Sequence, residues 1–142
     1  MHKFKRLEDS MLLGPQPTEQ DLQQAKEHGI KTVIDFRMPG ETPDSNAEMA
    51  ARHGFDYANI PVSKASLSAD QIDELERIMD EKEGPFLIHC ATGARAAMLL
   101  SLSKARKEGW DAERTFQEAK NLGYNLQESS EFASFIQSET SR

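Results

Sequence analysis

The stretch PFLIHCATGAR, residues 85–95, joins a short apolar run to a cysteine, a glycine and an arginine. The run PFLIH predicts a buried strand, and the segment 93–109, rich in alanine and leucine, predicts a helix that ends at Gly109. Cys90 is the only cysteine of the chain and lies in the turn between them. The stretch therefore predicts a strand, a tight turn and a helix in immediate succession.

Apolar runs and helix signals alternate before and after this stretch. Short apolar runs predict two more strands, KTVIDF at about 31–36 and FDYANIPV at 55–62, and the Pro- and Gly-containing segment 37–45 predicts a loop. Capping boxes pair Thr18 with Asp21 and Ser68 with Gln71, which marks two helix starts. The predicted helices are 18–28, 46–53, 68–83 and 93–109, then about 111–123 and roughly 128–138.

The alternation of strands and helices predicts the fold class. Parallel strands need crossover connections, and helices supply them on both faces of the sheet. We therefore expect an α/β fold with three αβα layers and a central, mainly parallel sheet. The length of 142 residues is that of one domain, so a single domain over 1–142 is expected.

Composition and charge restrict the classes of function. The formal net charge of -7 opposes nucleic-acid binding, which needs a clustered basic face. No apolar run follows the basic N-terminal residues, so neither a secretory signal nor a membrane span is expected, and the expected location is cytoplasmic. One cysteine cannot form an internal disulfide, and the histidines lack metal-ligand spacing. A reduced thiol, no metal and no cofactor are therefore expected.

The turn between the PFLIH strand and the helix is the candidate site. Ligands of such sheets bind beyond the carboxyl ends of the strands, and backbone N–H groups at a helix start hold small anions. Gly93 lets the backbone approach the anion, and Arg95 can hold it with a planar pair of donors. The positive potential also stabilises a thiolate, so Cys90 is expected to be a nucleophile rather than a small buried hydrophobic residue. The expected substrate-binding residues of the loop are Ala91, Thr92, Gly93 and Ala94.

This turn resembles the signature loop of the cysteine-dependent protein phosphatases, which begins with His-Cys and closes with an arginine that holds the phosphoryl group. His89, Cys90, Gly93 and Arg95 match those roles. Four residues separate the cysteine from the arginine, whereas that superfamily usually has five. The shorter loop is similar to that of the rhodanese sulfurtransferases.

Both features meet in the phosphatase-like domain of the bacterial beta-lactamase hydrolase-like proteins, which the chain resembles from about 12 to 126. The matching motifs, in the order of that family, are GPQPTEQDL, GIKTVIDFR, PGE, YANIPV, GPFLIHCATGAR and GYNL. The resemblance implies a protein tyrosine phosphatase-like fold. It also implies hydrolysis of phosphate monoesters through a phosphocysteine, without a metal.

Two positions depart from the phosphatase pattern. Related phosphatases carry an aspartic acid, the general acid, on the loop after an IP strand, but this loop offers Ser63 and Lys64, and Asp70 is the nearest carboxylate downstream. The residue after the loop arginine is often Ser or Thr, and here it is Ala96. Slow breakdown of the phosphocysteine and a preference for aryl phosphates are therefore expected.

Three further residues are secondary candidates. Asp35 and Arg37 follow the KTVIDF strand, where Arg37 could add positive charge for an anionic substrate. The alternative is an ion pair or loop cap formed by the same two side chains. His89 is expected to support the cysteine loop through a hydrogen bond rather than to transfer a proton.

Three functions remain open from the sequence. The first is a cysteine-dependent phosphatase-like hydrolase acting on a small anionic or phosphorylated substrate. The second is a sulfurtransferase in which Cys90 carries a persulfide, which the short loop favours. The third is an anion-binding or regulatory module without catalysis, which the missing acid and Ala96 favour.

Overall fold

A central sheet of five strands lies between two layers of helices in the computed structural model, which describes residues 3–41 and 46–141. The strand order is β1-β2-β5-β3-β4, with β1 antiparallel to β2 and all other pairs parallel. The strands are β1 (Lys5–Arg6), β2 (Leu12–Gly14), β3 (Thr32–Asp35), β4 (Asp56–Asn59) and β5 (Phe86–His89). The helices are α1 (Glu19–Glu27), α2 (Asn46–Arg52), α3 (Ala69–Glu81), α4 (Ala94–Glu108), α5 (Ala112–Asn121) and α6 (Ser130–Thr140).

Alternate side chains of the strands build two cores, one on each face of the sheet. Val33 and Leu87 pack with residues of α1 and α2, whereas Ile34 and Ile88 pack with residues of α3, α4, α5 and α6. All four side chains are at most 2% exposed. Burial of each stabilises the fold by about 1.5–3 kcal/mol relative to an exposed position, which explains why these short apolar runs become central strands. The three-layer αβα expectation is confirmed.

The strand register brings three chain segments to one edge of the sheet. His89 at the end of β5 lies opposite Gly14 of β2 and opposite Asp35 of β3. The carboxyl ends of the three central strands are therefore level with one another. The loops that follow them meet where α4 begins, and this is the edge at which a parallel sheet binds ligands.

The sequence analysis predicted three strands and missed two, β1 and β2. Strand β1 has two residues, both exposed and basic, and pairs only with β2. Strand β2 has three residues, all buried. Neither is long enough to show a hydrophobic period, and their pairing depends on the tertiary contact with β5.

The predicted helix starts are confirmed by their caps. Thr18 accepts a hydrogen bond from the amide of Asp21, whose carboxylate accepts one from the Thr18 amide, and Ser68 forms a capping box with Gln71. Helix α4 ends at Gly109 in a left-handed conformation, as predicted. Part of the predicted 37–45 loop lies outside the described residues. None of the helices in the described ranges has the length and apolar character needed to cross a membrane.

Candidate active site

The loop between β5 and α4 folds back on the sulfur of Cys90. The Gly93 amide donates a hydrogen bond to Cys90 Sγ at 3.0 Å. An N–H group aimed at the sulfur is the kind of donor that the sequence predicts for this turn. Cys90 has no exposed surface, belongs to the core on the α4 face and does not line the crevice beside Arg95.

Gly93 is required by both its conformation and its surroundings. Its φ is +102°, in the left-handed region, and a Cβ added there would collide with the hydroxyl of Tyr124. Tyr124 packs against the loop and donates a hydrogen bond to the carbonyl oxygen of Thr92 at 3.1 Å. Burial, and then the charge of Cys90, raises the pKa of Tyr124, so its hydroxyl stays protonated next to the loop.

Two acceptors fix the guanidinium of Arg95. Its Nη1 and Nη2 donate to the two carboxylate oxygens of Glu41 at 2.6 and 2.9 Å, and Nη1 also donates to the carbonyl oxygen of Val62 at 2.8 Å. The pKa of Arg95 is raised, chiefly by the hydrogen bonds to Glu41 and also by the charge and hydrogen bonding of Cys90. Glu41 and Val62 therefore hold the outer end of the guanidinium while it remains within reach of the sulfur.

Glu41 is ionised in this arrangement. Hydrogen bonding to Arg95 is the largest cause that lowers the pKa of Glu41 to about 2, and the Met38 amide adds a second hydrogen bond to the carboxylate at 2.6 Å. A tight turn sets the direction of the carboxylate, because the Glu41 amide donates in return to the carbonyl oxygen of Met38. At neutral pH this carboxylate has no proton to give to a leaving group.

A crevice of about 430 Å³ opens beside Arg95. Its walls come from the loops after β3, β4 and β5 and from α6. The lining residues are Met38, Glu41, Ser63, Lys64, Thr92, Ala94, Arg95 and Phe132. Of the predicted substrate-binding residues of the loop, Thr92 and Ala94 line this crevice, and Gly93 contacts the sulfur. The carbonyl oxygen of Ala91 instead accepts a hydrogen bond from the Gln16 amide at 3.2 Å.

The structure places Arg37 in an ion pair with Asp35. Its guanidinium donates from Nε and Nη2 to the two carboxylate oxygens of Asp35 at 3.1 and 3.2 Å, and the residue is only 6% exposed. This is the ion pair that the sequence left as the alternative, and it is buried rather than on the surface.

Asp35 is the centre of a buried network. Besides Arg37, its carboxylate accepts hydrogen bonds from Asn46 at 2.7 Å and from Tyr57 at 2.8 Å. Burial and the Asp35 hydrogen bond raise the pKa of Tyr57, which keeps that donor protonated. Asn46 also accepts a hydrogen bond from the Gln16 side chain. The network connects β3, β4 and α2 directly behind the cysteine loop.

His89 is buried next to the cysteine loop. Its Nδ1 lies 3.4 Å from the carbonyl oxygen of Cys90 and 3.9 Å from Asp35 Oδ1. Burial is the main reason that the pKa of His89 falls to about 4, so the ring is neutral at pH 7. Among the described residues, its Nε2 has no hydrogen-bond partner. A neutral imidazole with Nδ1 protonated can donate to the loop carbonyl.

Asp70 is not brought to the crevice. It lies exposed in the first turn of α3, where its amide donates to the Ser68 hydroxyl. On the loop after β4, Ser63 and Lys64 line the crevice instead. Asp70 as general acid is therefore corrected, because it is held at the start of α3 and does not line the crevice beside Arg95.

The sequence analysis did not assign a role to Glu41 or Tyr124. Both nevertheless lie in motifs that carry the family resemblance, PGE and GYNL. Neither residue type has a spacing that identifies a partner for Arg95 or for the cysteine loop. Their roles depend on long-range contacts, 54 positions apart for Glu41 and Arg95 and 32 for Tyr124 and Thr92.

Comparison with known proteins gives the same family as the motifs. A family model described as the phosphatase-like domain of beta-lactamase hydrolase-like protein matches residues 3–107. A beta-lactamase hydrolase-like protein of Agrobacterium fabrum is 33% identical over an alignment of 110 residues, which covers 72% of this chain and 25% of that protein. The chain thus spans about a quarter of the length of the curated relatives it matches.

Solved structures share the fold across nearly the whole chain. A phosphatase-like protein of Neisseria meningitidis superimposes with a TM-score of 0.79 at 23% identity, covering 98% of this chain and 99% of that one. TpbA of P. aeruginosa, solved as a cysteine-to-serine variant in complex with pTyr, gives a TM-score of 0.76 at 16% identity over 94% of this chain and 82% of its own. These values confirm the protein tyrosine phosphatase-like fold. The chain has the cysteine loop and a three-layer αβα fold, and the family model matches its residues 3–107. It therefore belongs to the family of phosphatase-like domains found in beta-lactamase hydrolase-like proteins.

Proposed function

We propose that the chain hydrolyses phosphate monoesters through a phosphocysteine on Cys90. In the first step a bond forms between Cys90 Sγ and phosphorus, and the bond from phosphorus to the ester oxygen breaks with its electron pair leaving on that oxygen. In the second step water attacks phosphorus, the sulfur leaves as a thiolate, and the water protons remain on the released phosphate. Neither step requires a metal.

The observation that carries this proposal is the arrangement of donors around the sulfur. The Gly93 amide points at Cys90 Sγ, and Arg95 lies close enough for the sulfur charge to raise its pKa. The same donors can stabilise the equatorial oxygens of a phosphoryl group, whose charge they complement. A buried cysteine that only packs in the core needs neither donor.

The surroundings of the leaving group favour phosphate esters of weakly basic alcohols. The loop after β4 carries Ser63 and Lys64, and the Glu41 carboxylate is ionised and held by Arg95. A general acid contributes about 10²–10⁴-fold, and most where the leaving oxygen is basic. Aryl phosphates are therefore the expected test substrates, and the complex of TpbA with pTyr supports this choice.

A sulfurtransferase is the second candidate, since only four residues separate Cys90 from Arg95. In that reaction the Cys90 thiolate takes the outer sulfur of thiosulfate, sulfite leaves with the electron pair of the sulfur–sulfur bond, and the persulfide passes its sulfur to cyanide as thiocyanate. The same amide and guanidinium donors would hold the sulfonate oxygens. The two candidates thus differ in the atom that the sulfur attacks.

One assay series separates the candidates. Purified protein is incubated with p-nitrophenyl phosphate and, separately, with thiosulfate plus cyanide, together with Cys90→Ser and with Lys107→Gln at the exposed end of α4 as a surface control. Phosphate release that is lost in Cys90→Ser and kept in Lys107→Gln supports the phosphatase. Thiocyanate formation with the same dependence supports the sulfurtransferase. If neither phosphate nor thiocyanate is formed, the result supports an anion-binding module and contradicts both enzymatic activities.

A further inference from the structure

Lys64 lines two neighbouring crevices at the candidate site. The crevice beside Arg95 shares Lys64, Ala94 and Phe132 with a second one of about 470 Å³. The remaining walls of the second crevice come from the segment between α5 and α6 and from the start of α6. They are Gly123, Tyr124, Asn125, Leu126, Glu128 and Ser129. A bound substrate that extends from the first crevice into the second would pass Lys64.

The loop that carries Lys64 is braced at several points. The Gln71 side chain donates from Nε2 to the carbonyl oxygens of Pro61 and Ser66, both at 3.0 Å. Arg95 donates to the carbonyl oxygen of Val62, two residues before Lys64. The loop is therefore tied to α3 on one side and to the oxyanion-binding guanidinium on the other. Bracing of this kind lowers the entropic cost of placing the ammonium group.

The ammonium group of Lys64 is placed over an aromatic ring. Its Nζ lies 5.3 Å from the ring centroid of Phe132, and Phe132 itself is 4% exposed and lines both crevices. A ring face attracts the cation without neutralising its charge. Lys64 thus lies against the ring that lines both crevices.

The acidic groups near Lys64 are Glu41, Glu128 and Glu131. The Glu41 carboxylate accepts hydrogen bonds from both terminal nitrogens of Arg95. Glu128 lines the second crevice but not the one beside Arg95. The pKa of Glu131 is lowered first by backbone and Ser130 hydrogen bonds and only less by Lys64. Within the described residues, no carboxylate forms a salt bridge with Lys64.

We propose that Lys64 forms a second anion subsite, so that the substrates are phosphate compounds whose leaving part carries a further anionic group next to the scissile phosphate. This inference rests on the proposed function and names its substrate class. A phosphoanhydride fits the chemistry best. When the bond between phosphorus and the bridging oxygen breaks, the electron pair leaves on a phosphate whose pKa is about 6, so no proton is needed from a general acid. The Lys64 ammonium neutralises the charge that this oxygen gains.

Binding tests the subsite without any turnover. Calorimetry compares inorganic phosphate with pyrophosphate on Cys90→Ser, then on the same variant with Lys64→Gln, and with Lys107→Gln as the matched lysine control. Pyrophosphate is expected to bind about tenfold more tightly than phosphate, and Lys64→Gln is expected to remove most of that preference. Lys107→Gln should leave it unchanged. An unchanged preference in Lys64→Gln, or an equal loss of affinity for both anions, overturns the subsite.

Turnover then separates the subsite from the proposed function. The ratio of kcat/KM for ortho-carboxyphenyl phosphate to that for p-nitrophenyl phosphate is measured for the chain with Cys90 intact, with and without Lys64→Gln. A fall in this ratio of about three- to tenfold supports the subsite. If both esters are turned over and the ratio of their kcat/KM values is the same in Lys64→Gln, the subsite is overturned and the proposed phosphatase activity is still supported. Absence of turnover together with a pyrophosphate preference that depends on Lys64 overturns the phosphatase and supports the subsite.

Discussion

Glu41 and Arg95 form a two-pronged ion pair across the mouth of the candidate site, with nitrogen to oxygen distances of 2.6 and 2.9 Å. The carboxylate comes from the turn after β3 and the guanidinium from the first turn of α4. Arg95 therefore has a fixed direction before any substrate arrives. Such preorganisation makes an arginine effective toward an oxyanion, because no reorientation is needed when the phosphoryl group binds.

Glu41→Gln is expected to loosen Arg95 and to reduce kcat/KM for an aryl phosphate by about 10–100-fold, with the larger part of the fall in kcat. Steady-state kinetics measure this, and Glu19→Gln, which removes an exposed carboxylate paired with Arg52, is the control. Phosphate affinity of the Cys90→Ser protein should fall in parallel. If that affinity rises in Glu41→Gln, the carboxylate competes with the substrate and does not position Arg95.

Gly93→Ala is expected to abolish turnover and to destabilise the fold, since the new methyl group collides with the Tyr124 hydroxyl at a φ of +102°. Gly109→Ala is a matched control, because Gly109 also has a positive φ but a Cβ at that position would meet nothing within 4 Å. That control should cost roughly 1–2 kcal/mol of stability and leave activity intact. Urea unfolding and phosphate release measure both effects. Activity retained in Gly93→Ala would show that the loop does not need its present shape.

The depressed pKa of His89 predicts a pH dependence of stability. The folded pKa of about 4 lies below the ordinary value of 6.5, so the unfolded chain binds more protons between these values. Stability contributed by the neutral ring is complete above pH 6.5 and is lost as the pH falls toward 4, by about 3 kcal/mol in total. In His89→Gln this component of the fall should disappear, whereas the surface variant His28→Gln should keep it. Parallel urea-unfolding curves for wild type and His89→Gln across this window would contradict the assignment.

Asp35→Asn is expected to destabilise the protein by about 3–5 kcal/mol, because it removes the negative charge that two nitrogens of the buried Arg37 guanidinium contact. The double variant Asp35→Asn with Arg37→Met removes both charges and should cost clearly less than the sum of the two single changes. Urea unfolding of the wild type, the two single variants and the double variant gives the coupling free energy between the two side chains. Additive costs would show that the two side chains do not act as a pair.

The sequence predicts the parts of this fold whose signals are local. The run 86–88 is apolar and short, Thr18 and Ser68 cap helices by a pattern readable over four positions, and Gly109 ends α4. Strands β1 and β2 are too short for any period, and only their pairing partners define them. Strands β3, β4 and β5 and the helical layers were therefore predictable, and the two strands at the β1 side of the sheet were not.

The same distinction between local signals and long-range contacts applies to the residues of the candidate site. Cys90, Gly93 and Arg95 follow one another within one turn, so their proximity is set by the chain itself. The partner of Arg95 was not predictable, because Glu41 meets it only through the sheet register. Arg37 was expected at the crevice because its position follows a strand end, but two residues of separation also let it pair with Asp35, and a buried carboxylate retains the nearest guanidinium.

The central claim, a covalent phosphoryl transfer to Cys90, is tested most directly by rapid mixing of the protein with p-nitrophenyl phosphate, acid quench and mass spectrometry of the peptide that contains the cysteine. Because Ala96 offers no hydroxyl to assist the departing sulfur, the phosphocysteine should accumulate and nitrophenol should appear in a burst of about one equivalent per chain. The account predicts a phosphoryl group on Cys90 and its absence in Cys90→Ser. Turnover that proceeds without this adduct, or that persists in Cys90→Ser, would contradict it.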